Sequence, residues 1–167
     1  MLKAKYSPCL IKIKKMNSRL NNFNNFQHWK NLKKTIVFTN GCFDLLHKGH
    51  IDLLTRASEF GDKLIVGINS DESVKKIKGE NRPVENQKTR KKNLIKLQYV
   101  DDVYVFEEST PLNIIKFICP DVLVKGADYT IHEIVGAKFV SANGGKVITI
   151  PLTPGFSTTK SIEKMAK

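Results

Sequence analysis

Two histidines, His47 and His50, stand three residues apart in the segment Asn40-Gly41-Cys42-Phe43-Asp44-Leu45-Leu46-His47-Lys48-Gly49-His50. On one turn of helix that spacing projects both imidazoles to the same side. A helix N-terminus there favours anions through its unpaired amides and its dipole. Such a pair suits hydrogen bonding to a phosphate whose charge grows during a reaction. Gly41 lets a ligand come close to the main chain, the amides around Gly41, Cys42 and Phe43 can face phosphate oxygens, and Gly49 permits a tight turn into the helix. The same letters carry two other readings. Asp44, His47 and His50 also make a carboxylate and two imidazoles, a metal-ligand set. Alternatively, the two rings only satisfy polar groups of their own loop. Spacing alone leaves all three open.

Further polar residues fall where they could join this loop. In Asn69–Gly79, Ser70 or Asp71 can cap a helix that carries Lys75, Lys76 and Lys78. These lysines are either solvated or phosphate contacts. Arg82-Pro83 begins a loop and Arg90 sits on the next helix. A guanidinium can hold phosphate bidentately, or it can be an ordinary surface group. Lys125, Gly126 and Asp128 lie in Val122–Tyr129. Ser157, Thr158 and Thr159 precede the last helical segment, as a plain N-cap or as a phosphate seat.

Elements that would position these residues can be read from the apolar runs. Residues 35–40, 63–68, 102–106, 121–124 and 146–150 are continuous apolar strands rich in Val and Ile. Segments 49–60, 71–77, 86–98, 111–118, 131–143 and 158–166 have helical spacing. Buried strands alternating with helices predict an α/β fold: a Rossmann-like, doubly wound, five-stranded parallel sheet with helices on both faces. Ligands of such a sheet bind beyond the strand C-termini, where the strand order switches.

A length of 167 residues corresponds to about one domain. Cys9, Cys42 and Cys119 are odd in number and share no C-x-x-C spacing, which argues against a disulfide scaffold or zinc ribbon and for a reducing compartment. No apolar run approaches the ~18 residues of a membrane span. The net charge of +12 is uneven: residues 1–34 hold nine Lys/Arg and no acid, leaving nineteen bases against sixteen acids in the remainder. Basicity is therefore concentrated in a head, and a basic nucleic-acid face on the domain is weakly supported. The expected organisation is a basic, Asn-rich, poorly ordered extension over 1–28 and one domain over 29–167.

The run Gly41-x-Phe43-Asp44-x-x-His47-x-Gly49-His50 resembles the G-x-F-D-x-x-H-x-G-H signature of the cytidylyltransferase-like nucleotidyltransferases. The resemblance makes His47 and His50 phosphate-binding, transition-state-stabilising groups and makes the metal reading minor. Segments Thr39–Asp44, Asn69–Asp71, Lys78-Gly79 with Arg82–Val84, Val124–Tyr129, Pro151-Leu152 and Gly155–Thr159 narrow the similarity to the heptose 1-phosphate adenylyltransferases. These occur alone or as the C-terminal domain of a bifunctional kinase/adenylyltransferase; no kinase-length segment precedes Trp29, so a kinase is expected on a separate chain.

The activity implied is transfer of AMP from ATP to D-glycero-β-D-manno-heptose 1-phosphate. Lys78 and Arg90 would join the histidines in catalysis. Asn40, Gly41, Cys42, Phe43 and Gly49 would bind nucleotide, as would Lys125, Gly126 and the hydroxyls of Ser157, Thr158 and Thr159. Lys75, Asp128 and Asp44 fall on the substrate side, with Asp44 bracing the loop rather than acting as a base. The family's second signature, I-S-S-T-x-x-R, is met by Phe156–Ile162, with Ile162 in the arginine position and Lys160 as the alternative cation. Mg²⁺ would ride on substrate phosphates without a dedicated protein cage. A cytoplasmic homodimer without nucleic-acid or membrane partners is implied as well. The sister activity is glycerol-3-phosphate cytidylyltransferase; a more distant reading is a nucleic-acid module using the basic head.

Overall fold

The computed structural model describes residues 24–127 and 130–151. Five strands form one sheet: β1 (Ile36–Gly41), β2 (Lys63–Asn69), β3 (Asp102–Phe106), β4 (Val122–Gly126) and β5 (Lys146–Ile150). Every pairing is parallel and the order is β3-β2-β1-β4-β5. The chain builds outward from β1 to β3 on one side, then returns to lay β4 and β5 on the other. The switch in strand order therefore lies between β1 and β4.

Alternation along the strands splits the core in two. Ile36, Phe38, Ile65, Tyr104 and Leu123 point to one face, and Val37, Leu64, Val66, Val103, Val122 and Val124 to the other. The second face is covered by α2 (Lys48–Ser58) and α4 (Gln87–Ile95), which contribute Leu54, Ala57 and Leu94. The first is covered by α1 (Asn24–Asn31), α5 (Leu112–Ile118) and α6 (Ala137–Ala142), through Phe26, Ile115, Ile118 and Val140. A further helix, α3 (Asp71–Lys78), follows β2. The doubly wound α/β sheet expected from the apolar runs is the fold observed. Among the described residues no helix is long and apolar enough to cross a membrane.

Three aspartates fasten the amino edge of the sheet. Asp62 accepts the Thr35 amide, Asp121 the Ile36 amide and Asp101 the Leu64 amide, each at 2.8 Å. The amino ends of β1 and β2 thus have carboxylate partners. The carboxyl edge is left to the loops that build the site.

Three boundaries differ from the sequence expectation. The break placed at residue 28 falls inside α1, whose Phe26 is 1% exposed and meets the Phe117 ring edge-on at 5.2 Å. Asn-rich sequence has low intrinsic helicity, and tertiary burial of one aromatic overrides it. The helix expected over 131–143 occupies only 137–142. Gly136 has φ 89°, and a Cβ there would lie 2.8 Å from Ile115, so the chain packs tightly there instead of continuing the helix. Lys125 and Gly126 complete β4 rather than leaving it.

Candidate active site

The loop from Cys42 to His47 joins the carboxyl end of β1 to α2. Phe43 and Leu45 adopt left-handed backbone angles, φ 48° and 53°, a conformation that costs non-glycine residues on the order of 1 kcal/mol each. Asp44 lies between them and holds the loop in that shape. Its Oδ2 accepts the Arg82 Nε at 3.0 Å and the Val84 amide at 2.9 Å, and Oδ1 accepts the Glu85 amide at 2.9 Å. The Arg82 guanidinium adds a second nitrogen at 2.9 Å, and the Asp44 side chain is 0% exposed. Asp44 is thus the loop brace that the resemblance implies, and only its place on the substrate side is corrected. With both oxygens committed to 82–85, it completes no metal set with the histidines.

The loop delivers His47 to the N-cap of α2. His47 is extended there (φ −129°, ψ 171°), its carbonyl accepts the His50 and Ile51 amides at 2.9 and 3.1 Å, and its Nδ1 faces the His50 amide at 3.4 Å. One turn on, the His50 ring stacks on His47 at 3.7 Å between centroids, 17° from parallel. The Phe43 and His50 rings meet edge-to-face, 5.2 Å between centroids. The two imidazoles therefore form one rigid pair at a helix N-terminus, beside the strand-order switch. Burial pushes the His50 pKa down to about 4, the neighbouring His47 adding to the shift and Asp44 opposing it. Burial lowers His47 as well. The pair is neutral at pH 7. His50 Nδ1 is buried with no partner, so the ring is best satisfied with its proton on Nε2, where it can be donated to a ligand.

This arrangement gives stability a pH dependence of definite sign. Unfolded His50 takes its proton near pH 6.5 and folded His50 only near pH 4, so acidification through that window favours the unfolded chain. Wild type is expected to lose about 2 kcal/mol more stability than His50→Gln between pH 7 and 4.5. Urea midpoints of both proteins at the two pH values check this; equal losses would mean that His50 protonates freely when folded.

Arg90 was expected to hold phosphate, and the structure corrects this. Its side chain is 0% exposed. Nε donates to the Glu85 carbonyl at 3.0 Å, Nη1 to the Cys42 carbonyl at 2.7 Å, and Nη2 to the Asn69 carbonyl and the Asp71 carboxylate, both at 2.8 Å. The guanidinium lies beneath the site and ties together the loop after β1, the end of β2, the start of α3 and the 82–86 loop. It is a positioning residue. Asp71, offered by the sequence only as a helix cap, is its carboxylate partner, and Glu85 is the member of this set that sequence spacing does not reveal; Ser70 is the α3 cap, accepting the Ser73 amide at 3.1 Å.

The remaining candidates divide. Lys125 Nζ reaches the Asn40 carbonyl at 2.9 Å, bringing the ends of β4 and β1 together. Lys78 is exposed at the end of α3, close enough for its charge to act on the Cys42 thiol. Burial nevertheless raises that thiol's pKa, so Cys42 is a poor nucleophile. Lys75 turns along its own helix to Glu72 at 3.1 Å. Gly41 has room for a Cβ only against the Phe43 ring, at 3.1 Å, and Gly49 sits in the first turn of α2. Asp128, Ser157, Thr158, Thr159 and Lys160 lie outside the described residues. Among the described residues no group of three His, Cys, Asp or Glu side chains is placed to hold a metal ion.

A family model described as cytidylyltransferase-like matches residues 38–164, from the middle of β1 onward. The chain belongs to the cytidylyltransferase-like family. Membership places it among nucleotidyltransferases, and the matched span includes the His47–His50 pair. The chain is 52% identical over 136 residues to the bifunctional protein HldE of Rhodopseudomonas palustris strain BisB5 and to that of Koribacter versatilis. Each match covers 81% of this chain and 28% of the relative, so the chain spans little more than a quarter of those proteins. Among solved structures, the lipopolysaccharide core biosynthesis protein from Thermoplasma volcanium shares the fold, with TM-score 0.58, 24% identity, and coverage of 72% of this chain and 97% of that one. A pantoate-beta-alanine ligase from Francisella tularensis does so with TM-score 0.59, 17% identity, and coverage of 82% and 69%.

Proposed function

We propose that this cytidylyltransferase-like protein transfers AMP from ATP to D-glycero-β-D-manno-heptose 1-phosphate, releasing pyrophosphate and forming ADP-heptose. The observation that carries this reading is the stacked His47–His50 pair at the N-terminus of α2, beside the β1/β4 switch. The choice of substrates is supported by 52% identity to the bifunctional HldE proteins, together with the motif segments that resemble heptose 1-phosphate adenylyltransferases.

An oxygen of the sugar phosphate attacks the α-phosphorus of ATP. The new P–O bond forms as the bond from that phosphorus to the α,β-bridging oxygen breaks, and pyrophosphate leaves with the electron pair. The attacking oxygen is already an anion near neutral pH, so no protein nucleophile or general base is needed. Catalysis is then positioning and charge stabilisation. His47 and His50 donate Nε2–H groups to phosphate oxygens as charge builds there, and the first-turn amides of α2 reinforce them. Because the rings are held by stacking and by the capped helix, little reorganisation accompanies the step. Lys78 adds positive charge from the α3 side. With Asp44 committed to its loop, the available donors suit a magnesium ion carried on the triphosphate, which when bound supplies charge neutralisation. The same reading implies a cytoplasmic setting and a homodimer.

Pyrophosphate release tests the proposal with ATP or CTP as donor and heptose 1-phosphate or glycerol 3-phosphate as acceptor. Turnover is expected with ATP and heptose 1-phosphate. Preference for CTP with glycerol 3-phosphate would assign the sister activity. Absence of pyrophosphate in every combination, with salt-sensitive RNA binding lost on removal of residues 1–23, which leaves α1 and Phe26 in place, would assign a nucleic-acid module.

A further inference from the structure

The carboxyl edge of the sheet offers different chemistry on its two faces. His47 and His50 belong to the α2 face: Phe43, which closes on His50, is part of the core on that side, as are Leu54 and Ala57 of α2. The opposite face ends in a polar row. Asn40 shares its side with Phe38, and Lys125 shares its side with Leu123; Phe38 and Leu123 pair across β1 and β4 within the other core. Continuing that register by two residues sets Lys125 beside Asn40. The 2.9 Å bond from Lys125 Nζ to the Asn40 carbonyl agrees with that placement. Thr149 pairs with Lys125 on β5. Lys125 is half-buried, and its ammonium is tied to the main chain of β1 one residue before its end at Gly41. A fixed cation therefore stands at the sheet edge, across β1 from the imidazoles.

Displacement at phosphorus has a directional requirement. Attacking and leaving oxygens lie roughly in line, on opposite sides of the phosphorus. Groups that steady the departing pyrophosphate cannot also hold the incoming phosphate. With the histidines on the α2 face taking the triphosphate, the incoming dianion arrives from the other face and needs its own positive charge, because it approaches a polyanion. Lys125 is the described cation tied to the end of β1 on that face.

We propose that Lys125 holds the phosphate of the incoming sugar phosphate, across the α-phosphorus from His47 and His50. This moves Lys125 from the nucleotide to the acceptor and rests on the adenylyltransferase reading above. In the step itself Lys125 exchanges no proton; it orients the attacking oxygen and offsets repulsion between the two anions.

The test separates the two substrates. For Lys125→Met, steady-state pyrophosphate release is expected to show KM for heptose 1-phosphate raised tenfold or more. KM for ATP should stay within about twofold. Titration with α,β-methylene-ATP, which cannot react at that bond, should give the wild-type Kd. Lys125→Arg should recover part of the acceptor affinity. Should Lys125→Met fail to fold, Lys125→Gln, which keeps a donor for the Asn40 carbonyl, is held to the same criteria. An unchanged acceptor KM would overturn the proposal. So would equal weakening of acceptor, ATP and α,β-methylene-ATP, which would mean that Lys125 only pins β1. If wild type itself released no pyrophosphate from ATP and heptose 1-phosphate, the adenylyltransferase reading would be the one to fall. A wild type active on those substrates with an acceptor KM insensitive to Lys125 would remove this inference alone.

Discussion

His50→Ala is expected to lower kcat by about 10²-fold or more, the scale of losing one preorganised donor to a charge that develops in the transition state. The ring stacks on His47 and meets Phe43 edge-to-face, and with Nδ1 buried and unpartnered Nε2 is the nitrogen that would serve phosphate. Alanine removes the donor but not the turn that carries it, since the bonds that start α2 are main-chain bonds to the His47 carbonyl. Circular dichroism and urea midpoint should therefore report a folded protein whose pyrophosphate release is slow. His47→Ala should cost a comparable factor, and the double variant less than the product of the two. Stacked rings that position one another act as a unit. Normal turnover in His50→Ala would remove the histidines from the mechanism.

Arg90→Met is expected to destabilise the fold by about 3–5 kcal/mol, the cost of removing one partner from a buried charged network. Three carbonyls, those of Cys42, Asn69 and Glu85, and the Asp71 carboxylate would lose their donor at once. Against a total stability of roughly 5–15 kcal/mol, that is a large share. Urea denaturation should show the midpoint fall with little change in slope. Arg90→Lys should recover only part of the loss, because a single ammonium cannot reproduce a planar fork that meets four acceptors. Activity of the remaining folded fraction should fall too, since the Cys42 carbonyl belongs to the loop that carries the histidines. A variant as stable as wild type but slow in turnover would instead give Arg90 direct contact with substrate.

His50 and Arg90 differ in what fixes their place, the first local spacing and the second long-range packing. His47 and His50 were legible because their relation is local: three residues apart, after a strand and at the start of a helix, they had to share one side. The strands were legible for a similar reason. Runs such as Ile36-Val37-Phe38 and Leu64-Ile65-Val66 are apolar at every position because both faces are buried. Arg90 was not legible. An arginine on a helix that follows a loop at the ligand edge reads the same whether it faces a phosphate or lies under the loop. Only packing turned it to 0% exposure and brought Asp71 to it from nineteen residues away. Phe26 failed in the opposite direction, as an aromatic in an Asn-rich tract whose place in the core depends on Phe117, more than ninety residues further along the chain.

By itself, the order of residues determined the class of fold, the loop that carries the chemistry and the pair of imidazoles at its end, since periodicity and short-range spacing are properties of the chain before it folds. Tertiary structure decided which charged groups hold the loop and which are left at the sheet edge. Asp44 and Arg90 became internal braces, and Lys125 came to stand across β1 from the histidines, because strand order and register set residues distant in sequence side by side. Whether a polar side chain is spent on its own main chain or left to a substrate is settled by those long-range neighbours.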